Sequence, residues 1–166
     1  MQDMRIIGID PGLRTIGIGL IEAESAYKLR ALEWLTIETD PALPFLDRLR
    51  EIGDDLEHYL QECGAELAVV EKLYFSVNEK TALDVAHARG VILSAIARRG
   101  IPLIEPTPPE LKSCIAGDGG ADKKQMQDMV KLLFHLEEIP KPDDAADALA
   151  LAAFGAFKGK RAQVIV

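Results

Sequence analysis

Four acids in this 166-residue chain stand where a carboxylate needs a reason. Asp10 closes the short apolar run of residues 5–9, and Glu71 closes a second, residues 66–70 (ELAVV). Asp144 and Asp147 lie three apart near the start of an alanine-rich stretch, PDDAADALALAAFGAF, residues 142–157. On a helix that spacing puts both side chains on one face, so their carboxylates can converge on one ion. Asp147 falls among alanines and leucines, where a charge is costly unless it is paired or metal-bound. Asp143 and Asp144 each also suit the first turn of a helix that starts at a proline. Either could reach an ion, and the spacing to Asp147 favours Asp144. An all-oxygen donor set suits hard divalent cations, Mg²⁺ or Mn²⁺. Clustered carboxylates repel one another until a cation neutralises them, so such a site depends on metal. Two ions about 3.5–4 Å apart can activate a water and stabilise the leaving oxygen of a phosphodiester.

Little else competes for the chemistry. Cys63 and Cys114 are too far apart for a zinc motif and too few for a disulfide framework. His58, His87 and His135 all fall within expected helices, and none adjoins a nucleophile.

The elements that must hold the acids can be read from period and punctuation. Residues 4–18, MRIIGIDPGLRTIGI, give a strand buried on both faces that ends at Asp10. A Pro11-Gly12 turn follows, with glycine expected at a positive φ. In the returning strand, residues 15–21, Ile16, Ile18 and Leu20 alternate with Gly17 and Gly19. One face is therefore apolar, and the other is bare enough for another group to approach. Residues 27–36 alternate as a third antiparallel strand, with Lys28, Arg30, Leu32 and Trp34 on one side and Leu29, Ala31, Glu33 and Leu35 on the other. From Phe45, the residues Leu46, Leu49, Ile52, Leu56, Tyr59 and Leu60 follow the helical period up to Gly64. If the strands ending at Asp10 and Glu71 lie parallel, both acids emerge at the carboxyl edge where open α/β sheets carry their sites.

Residues 78–98 form a long helix that is apolar on more than one face, so it needs burial on more than one side. A subunit partner and an ordinary central helix both satisfy that. A short strand over residues 101–105 and a short helix around residues 111–115 come next. A glycine-rich connection then leads to a helix over residues 122–136. Lys112 precedes the connection, and Lys123 and Lys124 open that last helix, where cations oppose its dipole. A phosphate between them would relieve the conflict; solvated surface lysines are the plainer alternative.

Length and an apolar fraction of 48% suit one domain spanning residues 1–166. No apolar run is long enough for a membrane span, and nothing at the start reads as a signal peptide, so a cytoplasmic location is expected. The net charge of −8 argues against a protein that coats nucleic acid non-specifically, but not against a local basic groove.

The segments GIDPG with its following strand, VVEKLYF, ARGV, GADKKQMQDMV and DDAADALALA occur in an order and spacing that resemble the RuvC family of Holliday-junction resolvases. The resemblance implies an α/β, ribonuclease-H-like fold: a mixed central sheet of about five strands, the first three antiparallel, flanked by helices. It implies a nuclease that resolves four-way junction DNA by paired symmetric nicks, using two Mg²⁺ or Mn²⁺ ions. A homodimer through the helix of residues 78–98 and a branch-migration helicase of the RuvAB type are the implied partners. Carried over by position, Asp10, Glu71, Asp144 and Asp147 are the catalytic, metal-binding acids. Tyr74, Phe75, Asn78, Arg89, Lys112 and Lys123 form the DNA-binding set. Tyr74 occupies the base-stacking position where many members carry Phe, and Phe75 follows it, so two rings compete for that role.

Two other classes fit less well. The actin, chaperone and sugar-kinase ATPases open on a similar strand and glycine hairpin, but they need a second hairpin and a second lobe that this chain has no room for. A non-catalytic junction-binding scaffold would gain nothing from four clustered acids.

Overall fold

The computed structural model describes residues 3–73 and 79–159, with the side chains of Glu79 and Lys80 outside the description. Tyr74, Phe75 and Asn78 therefore lie outside the described residues. The elements run β1 (Met4–Asp10), β2 (Thr15–Ser25), β3 (Lys28–Glu38), α1 (Phe45–Cys63), β4 (Leu67–Val70), α2 (Glu79–Arg98), β5 (Leu103–Ile104), α3 (Pro108–Ala116), α4 (Lys123–Leu133) and α5 (Asp143–Lys158). The strands form one sheet in the order β3-β2-β1-β4-β5, antiparallel across β1–β2–β3 and parallel across β1–β4–β5. This is the α/β, ribonuclease-H-like arrangement expected. Strand β1 sits at its centre between β2 and β4, where apolar side chains can be covered on both faces.

Each face carries its own core. On one side Ile7, Ile9, Ile16, Ile18 and Val70 pack with Ile52 and Leu56 of α1 and with Ala88, Ile92 and Ile96 of α2. On the other, Ile6, Ile21, Leu67 and Val69 pack with Leu111 of α3, Val130 of α4 and the Leu149–Phe154 stretch of α5. The period of two along each strand decides which residues serve which core.

The bare face expected of β2 exists, and α5 occupies it. Gly8 pairs with Gly19, and Gly17 lies opposite Asp10. A Cβ on Gly17 would collide with the Asp144 carbonyl oxygen, and one on Gly19 would stand 2.7 Å from the Leu149 backbone nitrogen. The alanines of α5 complete the close approach: Ala145, Ala146, Ala148 and Ala152 are all buried.

Several expectations are corrected. Gly12 does not take a positive φ; it is needed because a Cβ there would collide with the Thr15 carbonyl oxygen. The single alternation read along β3 is broken by a bulge opposite Leu20 and Ile21. Leu29 and Ala31 face the α5 side, whereas Leu32, Leu35 and Ile37 face α1, because an extra residue reverses the facing of everything after it. Leu46, counted in the apolar stripe of α1, is 75% exposed. Helix α4 stops at Leu133, so His135 lies beyond it, with a left-handed φ of 52°.

Candidate active site

Strand parity and register bring the acids together. Asp10 shares the α5-side face with Ile6 and Gly8, and Glu71 shares it with Leu67 and Val69. Ile9 pairs with Val70, so the two acids leave adjacent parallel strands side by side at one sheet edge. Helix α5 crosses the same face, and its first turn lies against Gly17, the β2 partner of Asp10. Asp144 and Asp147 arrive from above. Each of Asp10, Asp144 and Asp147 offers a carboxylate oxygen within 4.8 Å of the other two. Glu71 stands outside that tight group but lines the same cavity, of about 300 Å³, with Asp10 and Asp147.

The electrostatics are those of carboxylates crowded together out of water. Burial, and then repulsion from Asp147, Asp144 and Glu71, pushes the Asp10 carboxyl from 3.8 up to about 8. Burial raises Asp147 to about 6, with Lys123 opposing the shift and Asp144 adding to it. Glu71 is raised by burial and by Asp147, against the pull of Lys112. Carboxylates this close and this desolvated are reluctant to ionise together unless a cation joins them. Among the described residues no His or Cys belongs to the group, so the donors fit a hard divalent ion bound through oxygen.

Asp143 and Asp144, adjacent in sequence, are separated in space. Asp143 is exposed and accepts from Lys123 Nζ at 2.8 Å and from Gln127 Nε2 at 3.2 Å, and Lys123 holds its carboxyl below the usual range. Asp144 turns into the cluster. Lys112 and Lys123 both line the cavity beside the acids. Lys124 is drawn off to Asp128 at 2.9 Å. The two helices that carry the cavity lysines are held by capping boxes, Thr107 with Glu110 on α3 and Asp122 with Gln125 on α4.

The model of the family described as "Crossover junction endodeoxyribonuclease RuvC" matches residues 6–154. This chain belongs to the RuvC family. A curated RuvC of Brevibacillus brevis is 44% identical over 149 residues, covering 90% of this chain and 89% of that one. One of Thermosipho melanesiensis is 46% identical over 149 residues, covering 90% and 94%. Thermus thermophilus RuvC, solved in complex with a Holliday junction substrate, superposes with a TM-score of 0.89 at 32% identity over 95% of each chain. The yeast mitochondrial Holliday junction resolvase Ydc2, at 14% identity and a TM-score of 0.65 over 91% of this chain and 78% of that one, shares the fold.

Against the site residues expected of a RuvC protein, the structure gathers Asp10, Asp144, Asp147, Glu71, Lys112 and Lys123 around one cavity. The guanidinium of Arg89, expected to contact DNA, is bound to Glu105 and to the Glu71 carbonyl oxygen. Glu105 itself went unnoticed in the sequence, although the signal was there. It is a third acid at the end of a parallel strand, after β1 and β4. It stays out of the cluster because Ile104 takes the α5-side face and leaves Glu105 the α2 side.

Proposed function

We propose that this chain resolves four-way DNA junctions as a metal-dependent, structure-selective endonuclease of recombination and repair. The observation that carries the reading is the convergence of Asp10, Asp144 and Asp147 within 4.8 Å, in a chain of the RuvC family. Asp10, Asp144, Asp147 and Glu71 would hold two Mg²⁺ or Mn²⁺ ions. Such ions, when bound, supply activation of a water and neutralisation of charge on the phosphate. The chain's own part is to hold four carboxylates ionised around them and to align the scissile strand. Lys112 and Lys123 offset charge on the phosphate from the cavity wall. Lys123 exchanges Asp143 for that phosphate when DNA arrives. Tyr74, Phe75 and Asn78, three to seven residues after Glu71 in sequence, supply base-facing contacts, aromatic rings being sequence-tolerant stacking platforms.

A two-fold junction calls for two identical cutting sites, so the working form is a homodimer through α2. Residues 1–166 act as a single nuclease domain, in the cytoplasm, with a RuvAB-like branch-migration helicase as partner. No described helix is long and apolar enough to cross a membrane.

The test is cleavage of an end-labelled four-way junction against a linear duplex of the same sequence, with Mg²⁺, with Mn²⁺ and with chelator. Paired symmetric nicks on the junction alone, lost in chelator, are expected. Binding without cutting in every metal would overturn the enzymatic reading and favour a scaffold.

A further inference from the structure

We infer that Arg89 and Glu105 form a positioning pair that fixes Glu71 at the cavity, and that Arg89 is not a DNA contact. The inference rests on the reading of Glu71 as a metal-binding acid. Arg89 Nε donates to the Glu71 carbonyl oxygen at 3.0 Å, and its Nη2 is bound to the Glu105 carboxylate. The next backbone N–H, that of Lys72, donates to the Pro106 carbonyl oxygen at 2.8 Å. Both polar groups of the Glu71–Lys72 peptide are therefore held, one by helix α2 and the other by the segment that follows β5. A peptide unit is planar, so fixing its oxygen and its N–H fixes its orientation. The direction from which the Glu71 side chain enters the cavity is fixed with it.

Strand β4 ends at Val70, so ladder hydrogen bonds no longer hold Glu71 from both sides. Arg89 and Glu105 take over where the sheet stops. Their side chains are 15% and 19% exposed, which withdraws the guanidinium from solvent where a phosphate would have to meet it. The planar fork of arginine suits two acceptors at once; a lysine ammonium keeps the charge but lacks the fork. Residues behind a metal ligand commonly govern its affinity by orienting it.

The test compares wild type with R89K, R89Q and E105Q. Mn²⁺ affinity is read from the free-ion signal in electron paramagnetic resonance, and junction affinity is measured in chelator over a range of salt. Both Arg89 variants are expected to weaken Mn²⁺ binding by about tenfold or more. E105Q, which keeps the shape but removes the charge holding Arg89, is expected to shift it the same way by a smaller factor. Junction affinity in chelator should stay within about twofold of wild type, with the same salt slope. Wild-type Mn²⁺ affinity in the folded variants would overturn the inference. So would a loss of junction binding in R89Q that R89K restores, which would put Arg89 on DNA. Should R89Q fail to fold, R89K and E105Q decide the matter alone. Wild-type protein that binds Mn²⁺ but never cuts a junction would sink the resolvase reading and leave these titrations standing.

Discussion

Asp10 is the acid on which the site turns, because it is the most strongly perturbed of the group and sits at the end of the central strand. In the metal-free protein its carboxyl is pushed up to about 8 and that of Asp147 to about 6. Between about pH 4 and pH 8 the folded chain thus keeps protons that the unfolded chain has released, so metal-free stability falls as pH rises through that window. A divalent ion must displace those protons, so its stabilising effect grows over the same window. Thermal melts in chelator and in Mg²⁺ are expected to diverge from about pH 4 to about pH 8; a constant gap would remove the cluster as the metal site. Substitution separates the neighbouring acids. D10N and D144N should reduce junction cutting to background while sparing junction binding. D143N should keep cutting within about threefold, since Asp143 holds Lys123 rather than the cluster.

Helix α5 shows how an element is aimed as well as formed. Its alanines and the glycines of β1 and β2 let helix and sheet approach until backbone meets backbone, which fixes the height of Asp144 and Asp147 over Asp10. The substitution G17A would push a methyl group into the Asp144 carbonyl. We expect it to cost about 1–3 kcal/mol in denaturant unfolding and to lose cutting beyond what stability explains. The glycine alternation, the helical period of α1 and the strand ends at Asp10 and Glu71 were legible because each is a local pattern. The reversal within β3 was not, because a bulge is a disagreement between two strands and leaves no mark in one strand alone. The cluster of Asp10, Asp144 and Asp147 was legible as a set of residue types, with Asp144 favoured over Asp143 by its spacing to Asp147, whereas the pairing of Asp143 with Lys123 depended on where α4 lies.

Helix α2 buries Ala88, Ile92, Ala95 and Ile96 in the core it shares with α1, packs Val91 and Leu93 against that core, and leaves Leu83 facing outward. Leu83 is 56% exposed, and Phe45, at 39%, meets His87 edge-on beside it. That pattern fits the dimer proposed through this helix. L83E is expected to turn a dimer into a folded monomer by analytical ultracentrifugation, with the circular-dichroism spectrum unchanged and a melting temperature that no longer depends on protein concentration. On a junction it should give single, unpaired nicks. An unchanged dimer would place the contact elsewhere. The overall charge of −8 sits easily with this view of the molecule, because the lysines that matter are concentrated at one cavity.

Residue order alone determined the sheet's central strands, the two strand-end acids, the carboxylate pair on the last helix and the family to which all of them belong. Those are consequences of period, punctuation and residue type, which survive in one dimension. Only the tertiary structure decided which strand-end acids face the cavity and which turns away. Asp10 and Glu71 fall on the α5 side by parity, while Glu105, one residue out of phase, falls on the α2 side and binds Arg89. Facing is set by pairing register between strands far apart in the chain, and a charge takes its role from whichever neighbours that register supplies.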